Sequence, residues 1–93
     1  MSNFEDGTLY DLKPMNSDVQ SFYGKAEVFV EGDRKILLSY KLKVCEVDTE
    51  TKKWNILCTE NDLSLTTCRH IKEFLWQETG QEYSKKDYVN NLQ

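Results

Sequence analysis

The sequence predicts an α+β fold: a three-stranded antiparallel meander packed against one C-terminal amphipathic helix, with an N-terminal arm and a short last helix. Three observations predict it. Apolar residues alternate with a period of two in three segments between residues 22 and 59. Short polar turns separate those segments, which makes antiparallel neighbours the default. From residue 65 to 79 the apolar period changes to that of a helix. With 93 residues the chain holds one domain. We divide it into an arm over 1–20 and a single domain over 21–93.

Residues 1–20 carry no sustained period. Asn3, Asp6, Gly7, Asp11, Pro14 and Asn16 punctuate them as loop. Phe4, Leu9, Tyr10, Leu12 and Met15 are apolar enough to pack as an extended arm over something. Residues 22–31 read as the first strand, with Ala26, Val28 and Val30 on one face. Glu31-Gly32-Asp33-Arg34 is a turn, because Gly32 can take a positive φ. Residues 35–47 read as one long second strand, with Ile36, Leu38, Tyr40, Leu42 and Val44 alternating. Beyond Val44 the apolar positions slip to Cys45 and Val47, and a β-bulge would absorb the slip. Residues 48–53 form a polar loop. Residues 54–59 are the third strand, with Trp54, Ile56 and Cys58 on one side.

Ser64 is the expected N-cap of the long helix, with Thr66 and Thr67 as rivals. Leu65, Cys68, Ile71, Phe74 and Leu75 fall at helical spacing, and Gly80 fits the left-handed residue beyond the last turn. Ser84 with Asp87 resembles a capping box, opening a short helix that carries Tyr88, Val89 and Leu92. The long helix is the element able to cover the sheet. The expected core is Ala26, Val28, Val30, Ile36, Leu38 and Tyr40 against Cys68, Ile71 and Leu75.

Composition excludes several classes. Aromatic residues make up 12% of the chain and hydrophobic ones 39%, too many for a disordered tail. No apolar run exceeds three residues, so no segment is expected to span a bilayer, and no basic region leads into an apolar stretch as in a signal peptide. Sixteen acidic and twelve basic side chains leave a net charge of −4, against the positive field that duplex binding favours. Cys45, Cys58 and Cys68 are odd in number and lack zinc spacing. They read as free thiols buried as small hydrophobes, and so imply a reducing, cytoplasmic setting.

Catalytic patterns are sparse. His70 is the single histidine, with Glu73 three residues on as an orienting carboxylate if it served as a base. The expectation is a solvent-facing or partner-contacting imidazole, and a chain that is not an enzyme. No glycine-rich phosphate loop is present and no metal or other cofactor is expected. Two binding sets remain. Phe22, Tyr23, Lys25, Lys41, Lys43 and Arg69 combine aromatics for stacking with cations, as single-strand nucleic-acid binders do. Alternatively the aromatics close the core edge and the lysines keep the outer face soluble. Trp76, beside Arg69 and Lys72, is a candidate protein contact.

The stretches Ser21-Phe22-Tyr23-Gly24-Lys25-Ala26 and Ser64-Leu65-Thr66-Thr67-Cys68-Arg69-His70-Ile71-Lys72-Glu73-Phe74-Leu75 are distinctive in order and spacing. With Leu38-Ser39-Tyr40 and Lys43-Val44-Cys45-Glu46, they resemble a small domain of unknown function from phages, prophages and other mobile elements of Gram-positive bacteria. The likeness spans roughly residues 20–76, and Leu42 stands where a small residue, usually Thr, is expected. The resemblance implies context and no activity: a small accessory protein in the host cytoplasm. That context favours a non-enzymatic binding protein, such as an anti-CRISPR or anti-restriction inhibitor that occupies a host defence nuclease. Asp48, Glu50, Glu60 and Asp62, expected on loops at one end of the sheet, would meet a basic groove; ordinary solvated turns are the plainer reading. A single-stranded nucleic-acid-binding module is the alternative. No membrane partner is expected. An unpaired edge strand leaves a homodimer through the sheet open.

Overall fold

The computed structural model describes residues 8–15, 22 and 24–92. Its single sheet has five strands in sequence order, all antiparallel: β1 (Thr8–Asp11), β2 (Ala26–Glu31), β3 (Arg34–Ser39), β4 (Leu42–Asp48) and β5 (Trp54–Ile56). Two helices follow, α1 (Leu65–Thr79) and α2 (Lys85–Asn90). The α+β class and the meander stand, but the expected three strands become five for two physical reasons. Part of the arm pairs with β2, placing Leu9 opposite Phe29 and burying Leu12 in the core. The expected long strand over 35–47 is folded in two at Tyr40 and Lys41.

That second turn carries unusual backbone. Tyr40 and Lys41 have φ of 54° and 70°, between the paired residues Ser39 and Leu42. Two positive φ values in a two-residue loop are the pattern of a type I′ turn, whose twist matches that of the flanking strands. Asn-Gly is the usual sequence there, so nothing in Tyr-Lys announced the turn. The turn after β2 does follow its sequence signal: Gly32 has φ 60° between the paired Glu31 and Arg34.

Register decides which face is buried. Residue numbers paired across the Gly32 turn sum to 65, so Val28 faces Leu37, and Ala26 faces Ser39. The inner face of β3 is therefore Leu37 and Ser39 rather than the expected Ile36, Leu38 and Tyr40. The expected bulge is present: the pairing slips between Leu37/Cys45 and Leu38/Lys43, leaving Val44 as the extra residue. Val44 and Cys45 are both fully buried as a result.

Helix α1 lies across the inner face and contributes Ile71, Phe74 and Leu75, all fully buried, to a core with Ala26, Val28, Leu37, Val44, Cys45, Val47 and Ile56. Cys68 packs at the margin of this cluster, half-buried. The helix begins at Ser64, whose hydroxyl accepts from the Thr67 N–H, and ends at Gly80 with φ 80°. Ser84 and Asp87 form the expected capping box of α2. After α2 the chain closes the β5 edge: the Ile56 N–H donates to the Asn91 carbonyl at 2.9 Å, and Ile56 bridges Leu92. The Trp54 ring meets Tyr83 edge-on at 4.8 Å, while the Tyr88 hydroxyl donates to the Tyr83 carbonyl. No helix among the described residues is long and apolar enough to cross a membrane.

Candidate functional site

The end of the sheet that carries the β3–β4 turn gathers most of the chemistry. Ser39, the last residue of β3, points inward beneath α1. Its hydroxyl lies 2.9 Å from His70 Nδ1 and 3.2 Å from Thr67 Oγ1. The Ser64 hydroxyl donates to Thr67 Oγ1 at 3.2 Å, so a polar chain runs from the helix cap to the imidazole. Contrary to the expectation of a solvent-facing ring, His70 is only 1% exposed. The physical reason is its position on α1, one residue before Ile71 on the buried side, where Ser39 supplies the partner that a buried imidazole needs. Burial, with Arg69 and Lys25 nearby, pulls its pKa down to about 4, so the ring is neutral at pH 7.

Glu73 does not orient His70. It is itself buried, and its Oε2 accepts from the Met15 N–H at 2.9 Å and from Gln77 Nε2 at 2.6 Å. Gln77 also donates to the Lys13 carbonyl, so this part of α1 pins residues 13–15. Ser39 and His70 face each other within the core, and neither reaches the surface where a substrate would sit.

Around this buried chain stands an exposed rim. Phe22, a candidate for stacking on a ligand or for closing the core edge, is buried at that edge and meets His70 edge-on at 4.7 Å. The Tyr40 ring, 52% exposed, also stands near the imidazole, 6.0 Å between centroids and tilted by 39°. The Lys25 ammonium lies 5.8 Å from the Tyr40 ring centroid. Lys41 reaches back to Glu27 at 2.7 Å across the outer face. Lys43, opposite Leu38 on that face, and Arg69 on α1 are exposed. Two apolar side chains complete the rim: Leu42, 46% exposed opposite Ser39, and Leu65, 79% exposed in the first turn of α1. Tyr23 lies outside the described residues. Sequence reasoning missed Tyr40, Leu42 and Leu65 because it assigned the first two to the interior of a strand and Leu65 to the buried stripe of the helix.

The acidic set is not brought together. Asp48 and Glu50 precede β5, whereas Glu60 and Asp62 follow it, so the two pairs lie at opposite ends of that strand rather than at one. Local structure also occupies them. Asp48 Oδ1 accepts the N–H groups of Glu50 and Thr51, which lowers its pKa. Asp62 accepts from the Thr59 N–H and hydroxyl in a capping box of its 3-10 turn. An open depression of about 350 Å³ on the outer face is lined by Arg34, Glu46, Asp48, Thr51, Lys53 and Asn55, where opposite charges offset one another. Trp76, the expected protein contact, is half-buried on α1.

The cysteines are free. Cys45 is buried as expected, but Cys58 and Cys68 are half-buried, and burial raises all three thiols above their ordinary range. Thiols so held are poor nucleophiles at pH 7. No group of three His, Cys, Asp or Glu side chains among the described residues is arranged to hold a metal ion.

No curated protein and no solved structure matches the chain. The profile of one family does match, over residues 10–90, which takes in both the exposed rim and the buried polar chain beneath it. The chain thus belongs to a family of unknown function, DUF8033.

Proposed function

We propose that this chain is a non-enzymatic binding module that makes its contact through the β3–β4 hairpin end. One observation carries the reading. Two bulky residues, Tyr40 and Lys41, occupy left-handed backbone at an exposed tip where Asn and Gly would sit without strain. Strain of this kind clusters where side chains serve a purpose other than stability. The surrounding residues support it: Lys25, Arg69, Leu42 and Leu65 give the tip both charge and exposed apolar surface. The burial of Ser39 and His70 supports a contact role over a catalytic one.

The partner can be sought with a hairpin variant. In a host lysate, the wild-type chain should retain a partner that the double variant Tyr40→Asn/Lys41→Gly, folded by circular dichroism, does not. Equal capture by both would remove the hairpin from the contact. A second reading rests on Leu42 and Leu65, whose exposed side chains suit a protein surface. In that reading the chain is an accessory inhibitor, of phage type, that docks on a host defence nuclease in the cytoplasm. Loss of capture on Leu42→Asp/Leu65→Asp, with the captured species a protein, is its expected signature.

A further inference from the structure

We infer that the ligand of the hairpin end is a single-stranded nucleic acid, with an unpaired base stacked on Tyr40 and phosphates held by Lys25, Lys43 and Arg69. This rests on the hairpin being the contact surface. Three observations lead from that surface to this ligand class.

The first is the aromatic. Tyr40 is half exposed, and its ring is held from behind by His70, which in turn packs on Phe22. A half-exposed ring anchored in this way is a stacking partner for a base, which would take the place of the Lys25 ammonium now 5.8 Å over the ring and leave that ammonium to a phosphate. Duplex bases are stacked on one another and cannot use it, so the strand must be single. The second is local charge. Lys25 Nζ lies 5.8 Å from the Tyr40 ring centroid and Arg69 directly precedes His70 on α1, so both cations stand near the same ring system. Neither they nor Lys43 has an ion pair among the described residues. Lys41 is paired with Glu27, yet its side chain is 75% exposed, so a phosphate can compete for it.

The third is a matter of range. The net charge of −4 opposes a polyanion only where it is felt. At physiological salt exposed charges more than about 8 Å apart are largely screened. Asp48 and Glu50, at the far end of the sheet, are therefore nearly silent at the hairpin, whereas Glu60 and Asp62, which follow β5 toward the hairpin end, and Glu27, paired with Lys41, reduce the positive field there. The imidazole contributes no charge of its own, because it is neutral above its lowered pKa. The expected complex is weak and salt-sensitive, since three cations engage three phosphates.

Fluorescence anisotropy with labelled twelve-nucleotide oligo-dT and oligo-U tests this, with a duplex of the same length as control. Binding to the single strands should weaken with salt at a log–log slope of about −2, as three phosphate contacts require. The duplex should bind less well. Tyr40→Asn, which relieves backbone strain and so should fold, should lose about tenfold in affinity, while Tyr40→Trp should retain binding. Lys25→Glu/Arg69→Glu should abolish it. Comparison of the two oligomers separates DNA from RNA. Absence of a salt-dependent shift with either strand overturns the inference, as does equal affinity of wild type and Tyr40→Asn. If lysate capture depends on the hairpin while both oligomers fail to bind, the contact reading stands and the partner is a protein.

Discussion

Replacing Tyr40 and Lys41 by Asn and Gly should stabilise the fold. The left-handed region costs an L-residue roughly 1–2 kcal/mol, and the turn holds two such residues in succession at φ 54° and 70°. Asn tolerates this region and Gly has no penalty there. Part of the gain is offset, first by loss of the Lys41–Glu27 ion pair at 2.7 Å, worth about 0.5 kcal/mol because its lysine is 75% exposed. Glycine in the unfolded chain adds conformational freedom worth about 0.5–1 kcal/mol. The exposed Lys25–Tyr40 contact is worth another 0.5 kcal/mol or about that, and the tilted Tyr40–His70 pair a similar amount. The net expectation is a gain of about 1 kcal/mol. For a domain of this length that raises the melting midpoint by roughly 4–8 °C. Urea unfolding followed by far-ultraviolet circular dichroism should show a higher midpoint at unchanged slope. Lys41→Gly alone should change the midpoint little, because the glycine cost and the lost Glu27 pair take back most of what one relaxed φ returns. A midpoint unchanged or lowered in the double variant would show that the turn is not strained, and the case for the hairpin as a contact surface would lose its base.

Two further outcomes follow from the buried polar residues. His70 titrates near 6.5 when unfolded but is held to about 4 when folded. The unfolded chain therefore takes up a proton that the folded chain refuses, and stability should fall as pH drops from about 6.5 toward 4, by up to roughly 3 kcal/mol. Urea midpoints at pH 7, 5.5 and 4.5 should show this fall in the wild type and a shallower one in His70→Gln; parallel profiles would contradict it. Glu73→Ala should release the segment that its carboxylate holds. The Met15 amide, bonded to Glu73 Oε2 at 2.9 Å, should lose its protection from hydrogen exchange, while the buried amides of β3 keep theirs. A Met15 amide equally protected in the variant would show that Leu12 and the Gln77–Lys13 hydrogen bond hold the segment without Glu73.

Much of the architecture is written locally. Ser64, Gly80 and the Ser84–Asp87 box mark helix ends because each solves a problem of unpaired backbone groups within three or four residues. Gly32 marks its turn for a similar reason. The strand pattern is legible where one face is buried and flanking turns are recognisable. It fails at 35–47, where Ile36, Leu38, Tyr40, Leu42 and Val44 alternate without a break. Hydrophobic alternation reports a face but not a reversal of direction, and Tyr-Lys carries no turn signal. The inner face of β3 was nonetheless within reach. A two-residue turn at Gly32 fixes partners that sum to 65, so the even-numbered inner face of β2 requires an odd-numbered one on β3. Ile36 is buried all the same, on the opposite side of the sheet from α1, where its partners are Phe29 and Glu46. The site was harder. Lys25, Lys41, Lys43 and Arg69 were legible as a set, but Tyr40 became visible only once the hairpin was known. His70 was misplaced because its partner, Ser39, lies 31 residues away and is brought near only by the packing of α1.

The strained turn and the buried polar chain are parts of one arrangement. A left-handed pair persists only where its surroundings leave the backbone no easier course. Here both sides of the turn are fastened. The Tyr40 N–H donates to the Lys25 carbonyl at 2.8 Å, which fixes the tip against the start of β2. Ser39, one residue earlier, is fastened by its hydroxyl to two side chains of α1. If Ser39 moved, it would leave His70 Nδ1 without its partner in a poorly hydrated space, at roughly 1–3 kcal/mol, and Thr67 Oγ1 with the Ser64 hydroxyl alone. That penalty matches or exceeds what relaxing one turn residue would return, so the turn stays strained. The same geometry sets the Tyr40 ring beside an imidazole that stays neutral throughout the physiological range, so the charge around the ring comes from the side chains about it, Lys25, Lys41, Lys43, Arg69 and Glu27, and not from His70. On the proposed contact reading, the polar core acts on the surface through position. A serine and a histidine at hydrogen-bond distance, a pairing that elsewhere suggests a nucleophile and its base, lie buried directly beneath the point where the chain reverses, one residue before Tyr40.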